Sequence, residues 1–274
     1  MSPGKQHLPV QRRALLATVV SAISTRAVAQ APTEQDSWPS LARQIFADRV
    51  IRDGAAVIGI DAPYRAEDAA LVPIGLHALL HDDDPRHIVG ITLVIDQNPS
   101  PLAAVFTPGP TSGIRSISTR VRVDSYTNLT AVAELSDGQL YAVQRFVKAA
   151  GGCSAPAAKQ DADPTVLGEM RFRQFPQKEG ADQSRSEAQL MIRHPNYSGM
   201  QMDQLTRLYI PAHFVKSVKI RQGQDLLLSI ESGISISENP ALRFDYRSNG
   251  AAIFSAEAED SDGKSFHQEW PATT

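Results

Sequence analysis

Ser116-Ile117-Ser118-Thr119-Arg120-Val121-Arg122-Val123 changes chemical character at every step. Ile117, Thr119, Val121 and Val123 fall on one side, and Ser118, Arg120 and Arg122 on the other, which is the period of a β-strand with one face packed and the other in water. The same signal recurs outward in both directions. Val57-Ile58-Gly59-Ile60, Ile88 to Ile95, Leu102 to Phe106, and Leu129 to Val147 with a break at a turn all read as strands, and a second set runs from Leu167 to Trp270. Asp53-Gly54, Asp137-Gly138, Asn249-Gly250 and Asp262-Gly263 punctuate them, because glycine tolerates the positive φ that a tight hairpin turn requires. Before the strands, Trp38, Leu41, Ala42, Ile45 and Phe46 form one apolar stripe of a short helix, expected to lid the first core.

Strands at this spacing predict an all-β chain of two immunoglobulin-like β-sandwich domains in tandem, with the short N-terminal helix on the first. Ser154 to Thr165, rich in Ala, Asp and Pro and without apolar period, reads as a linker. The organisation expected is therefore a leader over 1–29, a first sandwich over 30–153 ending in a cysteine arm, a linker over 154–165, and a second sandwich over 166–274.

Composition narrows the function classes. The chain has 274 residues, 42% hydrophobic and 21% charged, with a net charge of -3. That balance gives no basic field for a phosphate backbone, which argues against a nucleic-acid partner. Lys5, Arg12 and Arg13 precede an apolar run from Ala14 to Ile23 and the small residues Ala27-Val28-Ala29, the pattern of an export signal cut after Ala29. The run is shorter than the roughly 20 residues that span a bilayer, so no membrane association is expected after cleavage. Arg12-Arg13-Ala14-Leu15-Leu16 resembles a twin-arginine signal, and that route and ordinary secretion both fit.

An exported chain with the single cysteine Cys153 forms no internal disulfide. Gly151 and Gly152 before it, and Ser154-Ala155-Pro156 after it, describe a flexible arm just past a strand rather than a core position. An ordinary thiol has a pKa of about 8.5, which a cation such as Lys148 would lower. With no histidine among its near neighbours in sequence, a catalytic role would need His77, His81, His87 or His194 brought in by the fold, and the thiol reads as an attachment point with no catalytic residues and no cofactor around it. About four residues of arm give a reach of ~14 Å, and a chain that both enters and leaves requires an open cleft on the partner.

Asp61-Ala62-Pro63-Tyr64-Arg65-Ala66-Glu67-Asp68, Val72-Pro73, Asp96-Gln97-Asn98-Pro99 and Gly151-Gly152-Cys153 resemble SoxY, the sulfur carrier of the periplasmic thiosulfate-oxidising system. Ile192-Arg193-His194-Pro195, Ser198-Gly199, Ser237-Glu238-Asn239-Pro240 and Asp260-Ser261-Asp262-Gly263 resemble its partner SoxZ. Together they resemble the fused SoxYZ-like carriers associated with quinoprotein dehydrogenases. The resemblance implies a non-enzymatic periplasmic carrier of sulfur oxidation, with Cys153 as the point of covalent cargo attachment and Gly151 and Gly152 as its arm. It implies as partners periplasmic oxidoreductases or hydrolases that load and unload the thiol, a PQQ-dependent dehydrogenase, and pairing of the two domains within the chain. Ser154 and Ala155 stand where the SoxY arm has two further glycines, and the chain continues. The alternative function is a non-covalent binding or chaperone-like accessory module for a periplasmic dehydrogenase.

Other groups carry weaker signals. His77, His81 and His87 around Asp82-Asp83-Asp84 could surround a metal, but an acidic run between strands is more often a solvated loop, and no metal is expected. His194 to Asp203 reads as either a recognition loop or a turn with methionines packed in the core. Arg65, Glu67 and Asp68 read as an ion-pair cluster capping the first sandwich.

Overall fold

The computed structural model describes Met1, 37–81, 83–156, 166–176 and 185–273. The leader expected over 1–29 and most of the expected linker lie outside the described residues.

One helix, α1 (Trp38–Phe46), opens the described chain. Eight strands make its first half: β1 (Ile51–Asp53), β2 (Ile58–Asp61), β3 (Val72–Ala78), β4 (Ile88–Ile95), β5 (Leu102–Pro108), β6 (Ser116–Val121), β7 (Thr127–Leu135) and β8 (Leu140–Val147). Seven make the second: β9 (Met170–Phe175), β10 (Ser186–Ile192), β11 (Val215–Gln222), β12 (Asp225–Ser232), β13 (Ala241–Tyr246), β14 (Ile253–Asp260) and β15 (Ser265–Pro271). In each half the strands divide between two sheets whose alternate residues face each other, the arrangement of an immunoglobulin-like sandwich.

The two sandwiches share their sheets. One sheet runs β1-β8-β7-β4-β5-β12-β11-β14-β15 and the other β2-β3-β6-β13-β10-β9. The junctions are antiparallel: β5 meets β12 from Ala104↔Ser232 to Pro108↔Leu228, and β6 meets β13 at Ile117↔Phe244 and Ser118↔Arg243. Strand edges that would otherwise offer unpaired N–H and C=O groups to other chains are thereby satisfied within the molecule. A single apolar cluster follows the sheets across, from Val57 and Phe106 to Phe244 and Ala258.

Several expectations change in the structure. The stripe of α1 is only half-buried and none of its residues is fully buried, so the helix lies on the first sandwich without closing it. Asp53-Gly54 is not a hairpin turn: β1 pairs in parallel with β8 in one sheet while β2 pairs with β3 in the other. Strand β3 was hidden by Pro73 and Gly75, residues that argue against a strand when read locally. The largest departure is in the opening stretch: alternation holds through Val121, and then Arg122 is fully buried instead of facing water.

Candidate functional site: the cysteine at the seam

Arg122 is buried because β6 stops at Val121 and the chain is then covered by the second half. Val121 bridges Ile236, and the Arg122 amide donates to Ser235 O at 2.7 Å. Asn98, buried, holds the same segment from the other side, donating through Nδ2 to Arg122 O at 2.8 Å and to Ser235 Oγ at 2.9 Å, while its Oδ1 accepts the Asp124 amide at 2.9 Å. Asn98, from the Asp96 to Pro99 stretch on which the family resemblance drew, thus acts as the brace of this segment.

The cysteine arm is docked on that brace. The Gly151 amide donates to Asp124 O at 2.8 Å, the Gly152 amide to Val123 O at 3.0 Å, and the Cys153 amide to Asp124 Oδ1 at 3.3 Å. From the second half, Ser198 Oγ donates to the Cys153 carbonyl, and Gln201 Oε1 accepts the Ser198 amide at 2.8 Å. Cys153 is 0% exposed. The thiol expected in solvent is enclosed at the seam, because the 194–201 loop of the second half folds over it.

Gly152 is needed here for fit and not for looseness. A Cβ at this position would stand 2.1 Å from Ala69 O and 2.6 Å from Val123 O, so only glycine lets the arm approach both carbonyls. Gly151 has φ 79, the left-handed region, and turns the chain into its seat. The expected flexible arm is therefore, in this state, a close-packed one.

Burial pushes the Cys153 thiol up to about 12, the Asp124 carboxylate adds to the rise, and Arg122 opposes it. Lys148, the cation expected to activate the thiol, instead lies over the Tyr64 ring, with Nζ 4.9 Å from its centroid. A docked Cys153 is protonated at neutral pH and is not a nucleophile. Arg122 donates through one terminal nitrogen to Gly152 O at 3.2 Å and through the other to Asn196 O at 3.5 Å, and its Nε has no partner. Burial lowers its pKa, and Glu238, Cys153 and Asp68 act the other way.

The other singled-out residues lie elsewhere or do other work. His77 Nε2 meets Asp61 Oδ2 at 2.8 Å and His81 Nδ1 meets Asp83 Oδ1 at 2.6 Å, so the two imidazoles turn to separate carboxylates. Asp84 forks to Arg86, which draws its carboxyl down to about 2. Among the described residues no salt bridge joins Arg65, Glu67 and Asp68; Asp68 accepts the Ala70 amide at 2.8 Å, which corrects the expected ion-pair cluster. Met202 is exposed and not in the core.

Sequence reading did not join His194, His213 and Asp260, whose ligand-type atoms lie within 4.8 Å of one another. Their hydrogen bonds do not suit a metal. His194 Nδ1 accepts the Asn196 amide at 3.1 Å, so the neutral ring presents an N–H, not a lone pair, at Nε2. Asp260 Oδ1 accepts the amides of Asp262 and Lys264, each at 2.9 Å, and Oδ2 accepts His213 Nε2 at 2.8 Å. The group is a buried carboxylate closed by donors, and it anchors the loop that ends over Cys153.

Two edge-joined β-sandwiches with one thiol enclosed at their seam define the class by its fold. The comparisons specify the class. Residues 42–153 match the family model of the sulfur oxidation protein SoxY, and residues 173–271 match that of the sulphur oxidation protein SoxZ. The chain is a fused SoxYZ-like protein, and it belongs with the carrier and accessory proteins of sulfur oxidation rather than with catalysts. Among solved structures it is similar to the sulfur carrier protein SoxY from Chlorobium limicola f thiosulfatophilum, at 27% identity over 41% of this chain and 91% of that one, with a TM-score of 0.35. It is also similar to superoxide reductase (neelaredoxin) from Ignicoccus hospitalis, at 13% identity over 34% of this chain and 79% of that one, with a TM-score of 0.30. No curated protein matches the sequence. Among the described residues, no helix is long and apolar enough to cross a membrane.

Proposed function

We propose that this chain is a periplasmic carrier that binds its cargo covalently on the Cys153 sulfur and presents it in turn to the oxidoreductases or hydrolases that load and unload it. The observation that carries the reading is positional: the chain's single cysteine is the last residue of the SoxY match and sits where the SoxZ half, through Ser198, reaches it. The docked thiol has neither access nor thiolate character, so loading requires residues after Ala149 to leave their seat. Free of it, the thiol regains an ordinary pKa of about 8.5. The released arm reaches ~14 Å, and a partner receives it in an open cleft because the chain runs on past Cys153. Thiosulfate-type sulfur as cargo and a PQQ-dependent dehydrogenase as partner rest on the family resemblance, and export rests on the leader pattern from Lys5 to Ala29.

Burial of the thiol favours a second reading, in which Cys153 is structural filler and the chain is a non-covalent accessory module for a periplasmic dehydrogenase. Intact mass of protein taken from its native compartment separates the two. A carrier yields a Cys153 adduct that reductant removes, and Cys153→Ala abolishes both adduct and activity. A bare thiol together with a fully active Cys153→Ala protein sinks the carrier reading.

A further inference from the structure

Resting on the carrier reading, we infer that Arg122 is the residue that selects cargo by charge: the docked arm seats an anionic group on the Cys153 sulfur and rejects a cationic one.

Arg122 is 0% exposed, yet among the described residues no carboxylate stands within salt-bridge distance of it. Of its three nitrogens, each terminal one makes a long bond to a carbonyl, at 3.2 and 3.5 Å, and Nε makes none. A buried guanidinium normally has a carboxylate or a full set of acceptors, because an interior charge without a close partner is costly. This one is held at the carbonyl of Gly152, the residue before the cysteine. Gln201, also fully buried and linked to the arm through Ser198, leaves its Nε2 without an acceptor as well. Two buried donor groups short of acceptors thus belong to the side chains that hold the arm at Gly152 and, through Ser198, at Cys153.

With a bare thiol the cation is under-satisfied. A group ending in sulfonate, sulfinate or carboxylate supplies the missing acceptors and charge, so an anionic adduct holds the arm docked and sheltered. A neutral adduct leaves the deficit unchanged, and a cationic adduct adds repulsion and drives the arm out. Asp124 works in the opposite sense at the sulfur, and Glu238 and Asp68 offset part of the Arg122 charge without reaching hydrogen-bond distance of it.

The test uses the full chain loaded by thiol–disulfide exchange. The Cys153 thiolate attacks dithiodipropionate, hydroxyethyl disulfide or cystamine, one S–S bond forms as one breaks, and one small thiol leaves. The three adducts are of similar size and carry a carboxylate, a hydroxyl or an ammonium. Hydrogen exchange at the amides of Gly151, Gly152 and Cys153 reads docking. The expected result is exchange about tenfold slower in the carboxylate adduct than in the ammonium adduct, with the hydroxyl adduct between them, and a difference that shrinks as salt rises. Arg122→Met removes the difference. Equal exchange in all three wild-type adducts overturns the inference without any variant, and so does a folded Arg122→Met protein that still discriminates. Neither result touches the carrier reading, which the native adduct decides.

Discussion

The hydroxyl of Ser198, on a loop of the second half, donates to the carbonyl of Cys153, the last residue of the first half's family match. This bond places the second half directly over the chain's single cysteine, and with the Arg122 contacts to Gly152 and Asn196 it ties arm and loop into one closed arrangement. The thiol in this arrangement is sheltered from solvent.

Reactivity of the thiol follows. With its pKa at about 12 the docked Cys153 has about three orders of magnitude less thiolate at neutral pH than an ordinary cysteine. Alkylation of native protein at pH 7.5 is expected to be slow and to accelerate on Ser198→Ala, which removes the loop's bond to the arm. Native protein that reacts as fast as its unfolded form contradicts the docked geometry.

Gly152→Ala is the sharpest single change. Its methyl would meet Ala69 O at 2.1 Å, so the arm cannot seat, and alkylation is expected to rise by up to about 1000-fold as the thiol returns to ordinary chemistry. Gly151→Ala serves as control. Its Cβ meets nothing nearer than Ser154 Oγ at 4.0 Å, and the cost is about 1 kcal/mol for a left-handed φ.

Acid sensitivity comes from His194. Burial and the neighbouring His213 push its pKa down to about 4, while an unfolded chain takes up the proton near 6.5. The folded value is the lower one, so this group's contribution is complete above pH 6.5 and is lost as pH falls toward 4, about 3 kcal/mol in all. Denaturant midpoints measured across that window should fall with pH in the wild type, and the slope should flatten in His194→Gln.

Continuity of both sheets predicts one unfolding transition. Because β5–β12 and β6–β13 carry the ladders across the seam and one core follows them, calorimetry should give a single cooperative peak for the whole described body. Two separated peaks would mean that the halves fold as independent domains.

What was legible in the sequence was what depends on near neighbours. Period-two alternation, Asp-Gly turns and family motifs marked most strands and the class, since side-chain direction along a strand is fixed by the backbone itself. Alternation also misplaced Arg122, and the reason is instructive. Its water-facing side became interior only when Ile236 and Ser235, more than a hundred positions later, covered it.

The sequence by itself determined that this chain is a pair of sandwiches with one cysteine after a glycine pair at the end of the first, because those features are local and covalent. The tertiary structure alone decided that the pair shares its sheets, that Gly152 is required for fit, and that the thiol lies protonated beside a buried arginine. Each of these depends on which distant segment excludes water from a given atom, and no spacing along the chain specifies that.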